Sequence, residues 1–165
     1  MVLPLLPLPL HGTLIQLEEL GVYLIGCSGS GKSETALQLV HNGARLVCDD
    51  APQIQNEVSG IVTAHCPAGF EGQIHIRNLG IINIIDLFGS QAVIKSQTID
   101  FIVEIATSED YHPTNSQIQY LQWQHQSLLI DGQRIYRYQG RNMALLVHTA
   151  VLQYKQSKKH HGYSI

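Results

Sequence analysis

The chain carries the octet Gly26-Cys27-Ser28-Gly29-Ser30-Gly31-Lys32-Ser33. Its form, G-x-x-x-x-G-K-[ST], is that of a phosphate-binding loop. Each residue type has a chemical reason. Gly26, Gly29 and Gly31 let the backbone curl closely around an anion, so that successive N–H groups, those of Ser28 and Ser30 among them, point at phosphate oxygens. Lys32 reaches the outer phosphates, and the Ser33 hydroxyl is placed to ligate Mg²⁺. Further along stand two adjacent carboxylates, Asp49 and Asp50. Beside a phosphate site such a pair can divide the work. One accepts a proton from an attacking hydroxyl, and the other holds metal or orients a neighbour.

These residues need elements to position them. Val22-Tyr23-Leu24-Ile25 reads as a buried strand feeding the loop, and residues 33–42 read as the helix leaving it. The helix offers its positive N-terminal end to the same anion. Asn42-Gly43 supplies a C-terminal stop. Arg45-Leu46-Val47-Cys48 is a short apolar strand that delivers Asp49-Asp50. Strand, loop, helix and strand form a βαβ-like unit. If its strands run parallel, the carboxylates emerge on the sheet edge that carries the loop, where ligands bind in open α/β sheets.

Bulk properties narrow the class. The 165 residues predict one domain with a sizeable core. A formal charge of −3 gives no electrostatic footprint for nucleic acid or an anionic membrane. No stretch approaches the length of a membrane span. The apolar start, residues 1–10, lacks a basic region and is interrupted by prolines. It reads as an extended arm packing on the domain or on a neighbouring subunit, not as a signal peptide. Cys27, Cys48 and Cys66 have no C-x-x-C spacing, which argues against a disulfide framework or a zinc site. Free thiols fit a cytoplasmic protein. No pair among the nine histidines has a convincing metal-ligand spacing.

The rest of the chain is read from pattern. His11 to Leu17 reads as a strand forming a hairpin with 22–25 across Glu18-Glu19-Leu20-Gly21. Ile54 to Val62 predicts short strands around a Ser59-Gly60 turn, and 66–69 a loop. Gln73 to Arg77 alternates as a strand, with Ile74 and Ile76 inward and His75 and Arg77 on the other face. Residues 81–88 are strongly apolar and read as buried, with strand and helix both open. A strand over 99–106 and a mobile loop over 107–116 come next, and 117–126 is polar with aromatics. Asp131-Gly132 between apolar runs predicts a hairpin with a type I′ turn. A helix starts at Met143 and runs to about Lys155, its core face including Leu146, Val147, Ala150 and Val151. The basic stretch Lys155, Lys158 and Lys159 reads as part of a solvated tail over 156–165, with a docking surface for an acidic partner as the alternative.

Four of these segments, in order, resemble the catalytic domain of the HPr kinase/phosphorylase family: His11-Gly12-Thr13-Leu14, residues 26–40 with 45–50, IRNLGIINIIDLFG at 76–89, and QGRNMALLV at 139–147. The resemblance covers most of the chain and matches the short forms of the family, which lack its separate N-terminal domain. It implies an α/β fold: a single P-loop-containing domain over 1–165 with a twisted mixed sheet, related to phosphoenolpyruvate carboxykinases and flanked by helices. It implies an ATP- and Mg²⁺-dependent kinase, and also a phosphorylase, acting on a serine of the phosphocarrier HPr or an HPr-like protein, usually as a hexamer. Asp49 would be the base, and Asp50 would orient the site with His11. Lys32 and the loop amides would hold the β- and γ-phosphates, Ser33 would ligate Mg²⁺, and Arg77 would sit near the active site. Arg141, in the GRN motif, would serve packing or subunit contact.

The sequence departs from the family at four places. His75 stands where the family has a carboxylate, and imidazole is a poor ligand for a hard cation. Asn78 replaces a glycine but tolerates a left-handed conformation. Asn42-Gly43-Ala44 replaces an RGH stretch, and the segment between 106 and 140 is short. Two other readings stay open: a small-molecule kinase on the same scaffold, and a nucleotide-binding regulator without turnover.

Overall fold

The computed structural model describes residues 3–56, 59–107 and 117–161. Twelve strands and three α-helices succeed one another among them. Strand β1 (Leu5–Pro7) lies in the N-terminal arm, ahead of β2 (Thr13–Leu17) and β3 (Leu20–Ile25). Helix α1 (Lys32–His41) leads to β4 (Arg45–Cys48), β5 (Gln53–Asn56), β6 (Val62–His65), β7 (Gln73–Ile76) and β8 (Gly80–Asn83). Helix α2 (Ile84–Phe88), β9 (Ser96–Thr98), β10 (Phe101–Thr107), β11 (Gln119–His125), β12 (Leu128–Arg137) and helix α3 (Met143–His161) complete the order.

Seven strands form the main sheet in the order β1-β11-β12-β10-β3-β2-β4. It is mixed. β3, β10 and β12 are parallel, β2 is antiparallel to β3, and β4 is antiparallel to β2. β4 therefore runs parallel to β3 with β2 inserted between them, so the βαβ-like reading holds with one strand interposed. The β2–β3 hairpin turns at Glu18 and Glu19, both with positive φ (54° and 69°). The arm packs on its own domain: β1 pairs with β11 in parallel, and Leu8 is buried.

The alternation of apolar side chains along the central strands feeds two cores. On one face Ile15, Val22, Leu24, Val103 and Ile105 pack with Ala36, Leu39 and Val40 of α1 and with Met143, Val147 and Val151 of α3. On the other, Leu14, Tyr23, Ile25, Val47 and Ile102 pack with Val62 and Ala64 of a small sheet, β5-β6-β9. The expected flanking by helices is met on one face of the sheet. α1 and α3 share one face, and a second sheet covers the other.

Four further readings change. Asp131-Gly132 is not a turn but the middle of β12, and the hairpin with β11 turns at Gln126 (φ 53°) instead. Gly132 is there for room: a Cβ would meet the Ile102 carbonyl oxygen and lie 2.5 Å from the Trp123 ring. The polar segment before it is strand β11. Residues 81–88 divide at Asn83, whose side chain caps α2 by accepting from the Ile85 and Asp86 N–H groups. Nor are they buried: Ile81 and Leu87 are 71% and 63% exposed, and only Ile84 is fully enclosed. The tail expected from 156 is helical through His161, because Lys155 donates to the Glu18 carbonyl (2.9 Å) and Lys158 to Asp131 (3.2 Å). The loop expected over 107–116 begins as the end of β10 at Thr107, and the remainder lies outside the described residues.

Candidate functional site

Strand direction decides which segments meet at one edge. The C-terminal ends of β3, β4, β10 and β12 and the N-terminal end of β2 all lie there. The edge accordingly carries His11 to Thr13, the loop Gly26 to Ser33, Asp49-Asp50 and Arg137. A cavity of about 630 Å³ opens over the loop, walled by His11, Thr13, Asp49 and Asp50 on one side and by His75 and Arg77 from the β7–β8 hairpin on another.

The loop has the backbone its glycines allow. Gly26, Gly29 and Gly31 sit at φ 147°, 77° and 92°. Gly31 is the left-handed N-cap of α1, and no side chain caps that helix. Its first-turn N–H groups therefore await an external acceptor, which fits a phosphate. Lys32 Nζ donates to the carbonyls of Gly26 (2.9 Å) and Cys27 (3.1 Å), which holds the ammonium against the loop. Ser28 and Gly29 are exposed at the tip. Ser30 is turned inward, 1% exposed, and its hydroxyl has no partner among the described residues.

Asp49 is already anchored. Its Oδ1 accepts from Thr13 Oγ1 (2.7 Å) and from Ser33 Oγ (2.9 Å), and its Oδ2 accepts from the His75 backbone N–H (3.1 Å). The reason is register. Leu14 pairs with Cys48, but Ile15 pairs with Leu46, so Val47 is extra. Such a bulge re-aims the residues next to it. Continuing past Leu14 and Cys48 sets Thr13 opposite Asp49, and Gly12 N–H donates to the Asp50 carbonyl at 2.7 Å. Asp50 is exposed and held at φ 70°, a conformation that Asp tolerates better than most residues. His11 shares its cavity wall. Among the described residues no hydrogen bond joins the two.

Arg77 lies over the loop from the side: a Cβ on Gly29 would stand 3.4 Å from its Nη2. Asn78 does take the left-handed turn, at φ 68°. His75 is exposed, on the face opposite the buried Ile74 and Ile76. Asp86 is not among the cavity's walls, whereas Glu34 is. Arg141 donates to the Tyr136 carbonyl (3.1 Å) and lies over the Tyr138 ring at 4.7 Å, a packing role.

Ser33 hydroxyl and Asp49 carboxylate are hard oxygen donors, as Mg²⁺ prefers. Among the described residues no group of three His, Cys, Asp or Glu is arranged to hold a metal ion. That donor set fits an ion carried mainly by phosphate oxygens and water. Beneath the site, burial pushes the Tyr23 phenol well up, helped by Cys48 and Asp50, and its O–H donates to the Pro9 carbonyl (3.0 Å). A Cβ on Gly12 would strike that ring, at 2.6 Å. Burial likewise raises the thiols of Cys48 and Cys66, while Cys27 is exposed in the loop.

Two residues at this edge escaped the sequence reading. Thr13 was legible only as the residue after His11-Gly12, since its facing Asp49 depends on the bulge. Arg137 ends β12, and only the pairing of β12 with β10 brings it to the loop. No helix among the described residues is long and apolar enough to cross a membrane.

The model of the HPr serine kinase C-terminal domain family matches residues 7–164. The HPr kinase/phosphorylase of Geobacillus sp. (strain WCH70) is 35% identical over 150 residues, 88% of this chain and 47% of that protein. The enzyme of the same name from Listeria monocytogenes is 46% identical over 96 residues, 58% of this chain and 31% of that one. The chain thus spans about half the length, or less, of these curated relatives. A solved structure, the Hpr(Ser) kinase/phosphatase from Coxiella burnetii, superposes with a TM-score of 0.84 at 25% identity, covering 94% of this chain and 98% of that one. By its sequence from residue 7 to 164 and by its fold, this chain belongs to the HPr serine kinase C-terminal domain family.

Proposed function

We propose that the chain is the catalytic domain of an ATP-dependent protein-serine kinase acting on HPr or an HPr-like phosphocarrier. One observation carries the reading: the Asp49 carboxylate lies 2.9 Å from the Ser33 hydroxyl, at the uncapped start of α1. A proton acceptor, a metal-side hydroxyl and a phosphate cradle are brought together before any ligand arrives.

In this reading the loop amides and the start of α1 hold the β- and γ-phosphates, and Lys32 adds a point charge beside them. The Ser33 hydroxyl would hold Mg²⁺, which would supply neutralisation of phosphate charge. The acceptor serine enters beside Asp49. Its hydroxyl proton passes to the Asp49 carboxylate as the serine Oγ–phosphorus bond forms and the bond from the γ-phosphorus to the bridging oxygen breaks, releasing ADP. In the reverse direction Asp49 returns the proton as an acid. Asp50 and His11 orient the acceptor side, and Arg77 stabilises charge on the transferring group. A cytoplasmic setting belongs to the same reading. The exposed apolar side chains of Phe70, Leu79, Ile81 and Leu87 support a homo-oligomer, a hexamer by family resemblance.

The test is phosphate transfer. The protein is incubated with Mg²⁺-ATP and HPr from the same organism, and HPr is weighed intact. One added phosphate, lost with Asp49→Asn, is expected. No addition, with ATP binding intact, would replace this reading with a different acceptor, such as a small molecule, or with a nucleotide switch lacking turnover.

A further inference from the structure

The β10–β12 side of the loop carries a cation that has no role in the reaction described so far. Arg137 is the last residue of β12 and is exposed. A Cβ on Gly31 would collide with its Nη1 and stand 2.8 Å from its Cζ, so the guanidinium rests directly on the phosphate loop. Its neighbour along the strand shows the ordinary part of a structural arginine here. Arg134 is paired with Glu104 at 2.7 Å. Among the described residues the Arg137 side chain has no carboxylate partner and makes no hydrogen bond. An unneutralised guanidinium against a phosphate-binding backbone has a geometry suited to an anionic oxygen.

Its position along the sheet says which anion. Asp49 comes after β4, two strands to one side of β3, and Arg137 ends β12, two strands to the other side. At strand spacings near 4.8 Å each lies about 10 Å from the loop-bearing strand. Transfer to a hydroxyl beside Asp49 requires the γ-phosphate to face that side. The chain of phosphates, held at its middle by the loop, then continues toward β12. We propose that Arg137 binds the α-phosphate of a nucleoside di- or triphosphate and so fixes the nucleotide end of the ligand. The proposal rests on the nucleotide reading of this site, and it names a residue and a contact that the reading does not contain.

Calorimetry with two probes tests it, on the intact chain with Mg²⁺ present. ADP carries an α-phosphate joined to a nucleoside, whereas pyrophosphate fills the loop alone. Arg137→Ala is expected to weaken ADP by about tenfold or more, while pyrophosphate stays within about twofold. Arg137→Lys, which keeps the charge but not the planar fork, should fall between. Equal loss for both probes would overturn the proposal, because Arg137 would then only support the loop. Unchanged affinity for both would also overturn it, as would a parent protein that binds ADP no better than pyrophosphate. The kinase reading fails separately: a parent that binds ADP in this pattern but transfers no phosphate refutes that reading and leaves Arg137 where it is placed here.

Discussion

The two sides of the phosphate loop are built differently. Toward β2 and β4, the key carboxylate is fully engaged: Asp49 accepts from Thr13, Ser33 and the His75 N–H within 3.1 Å. Toward β12, Arg137 lies against Gly31, and among the described residues no carboxylate pairs with it. One side is preorganised and the other is open. A group that must act at a reacting atom gains from being held before the ligand arrives, since it then has no ordering cost in the transition state. A group that only grips the ligand needs free donors. Under the proposed function, the contrast would separate a side for chemistry from a side for binding.

That separation can be broken by measurement. The largest expected effect is Asp49→Asn, which should lower phosphate transfer by about 10²- to 10⁴-fold while ADP affinity, read by calorimetry, changes little. Parallel loss of both would erase the distinction between the sides. Next is Thr13→Val, which removes the hydroxyl but keeps the shape. Transfer should drop roughly tenfold, in kcat more than in KM for ATP, with Thr13→Ser restoring most of it. Equal damage from Val and Ser would mean that Thr13 serves packing alone.

Smaller effects sharpen the picture. His75→Glu places a carboxylate on the cavity wall, and its backbone N–H can still hold Asp49. The activity at limiting Mg²⁺ should rise a few-fold, about 1 kcal/mol. A folded variant with lower activity would sink that idea. Last, the thiols report on the loop itself. Cys27 is exposed, whereas burial pushes Cys48 and Cys66 up toward the protonated, unreactive form. Near pH 8 a thiol reagent should label Cys27 first, and bound nucleotide should slow it. Fast labelling of Cys48, located by peptide mapping, would contradict the burial described here.

How much of this was legible depends on the range of the interactions involved. The loop, its strand and its helix were readable because their causes are local: glycine spacing, an apolar run and a stop at Asn42-Gly43. The same local reasoning misread Asp131-Gly132, whose glycine answers to Trp123 and the Ile102 carbonyl in neighbouring strands. It also misread 81–88, where an apolar run stands largely exposed and divides at a capping Asn83. The helix past Lys155 was missed because Glu18, Glu19 and Asp131, which anchor its lysines, come from distant turns and strands.

The sequence by itself determined the phosphate loop, the adjacent carboxylates, the strand that carries His75 and Arg77, and the family to which the assembled segments point. Those depend on residue types at short spacing, and short-range backbone preferences act before any tertiary contact forms. Only the tertiary structure decided that Thr13 faces Asp49, that Arg137 rests on Gly31, and that helices cover one face of the sheet and strands the other. These arise from the insertion of β2 between β3 and β4, from a one-residue bulge and from the order of parallel strands. Such pairings join positions far apart in the chain, and their energies belong to the packed sheet rather than to any local stretch.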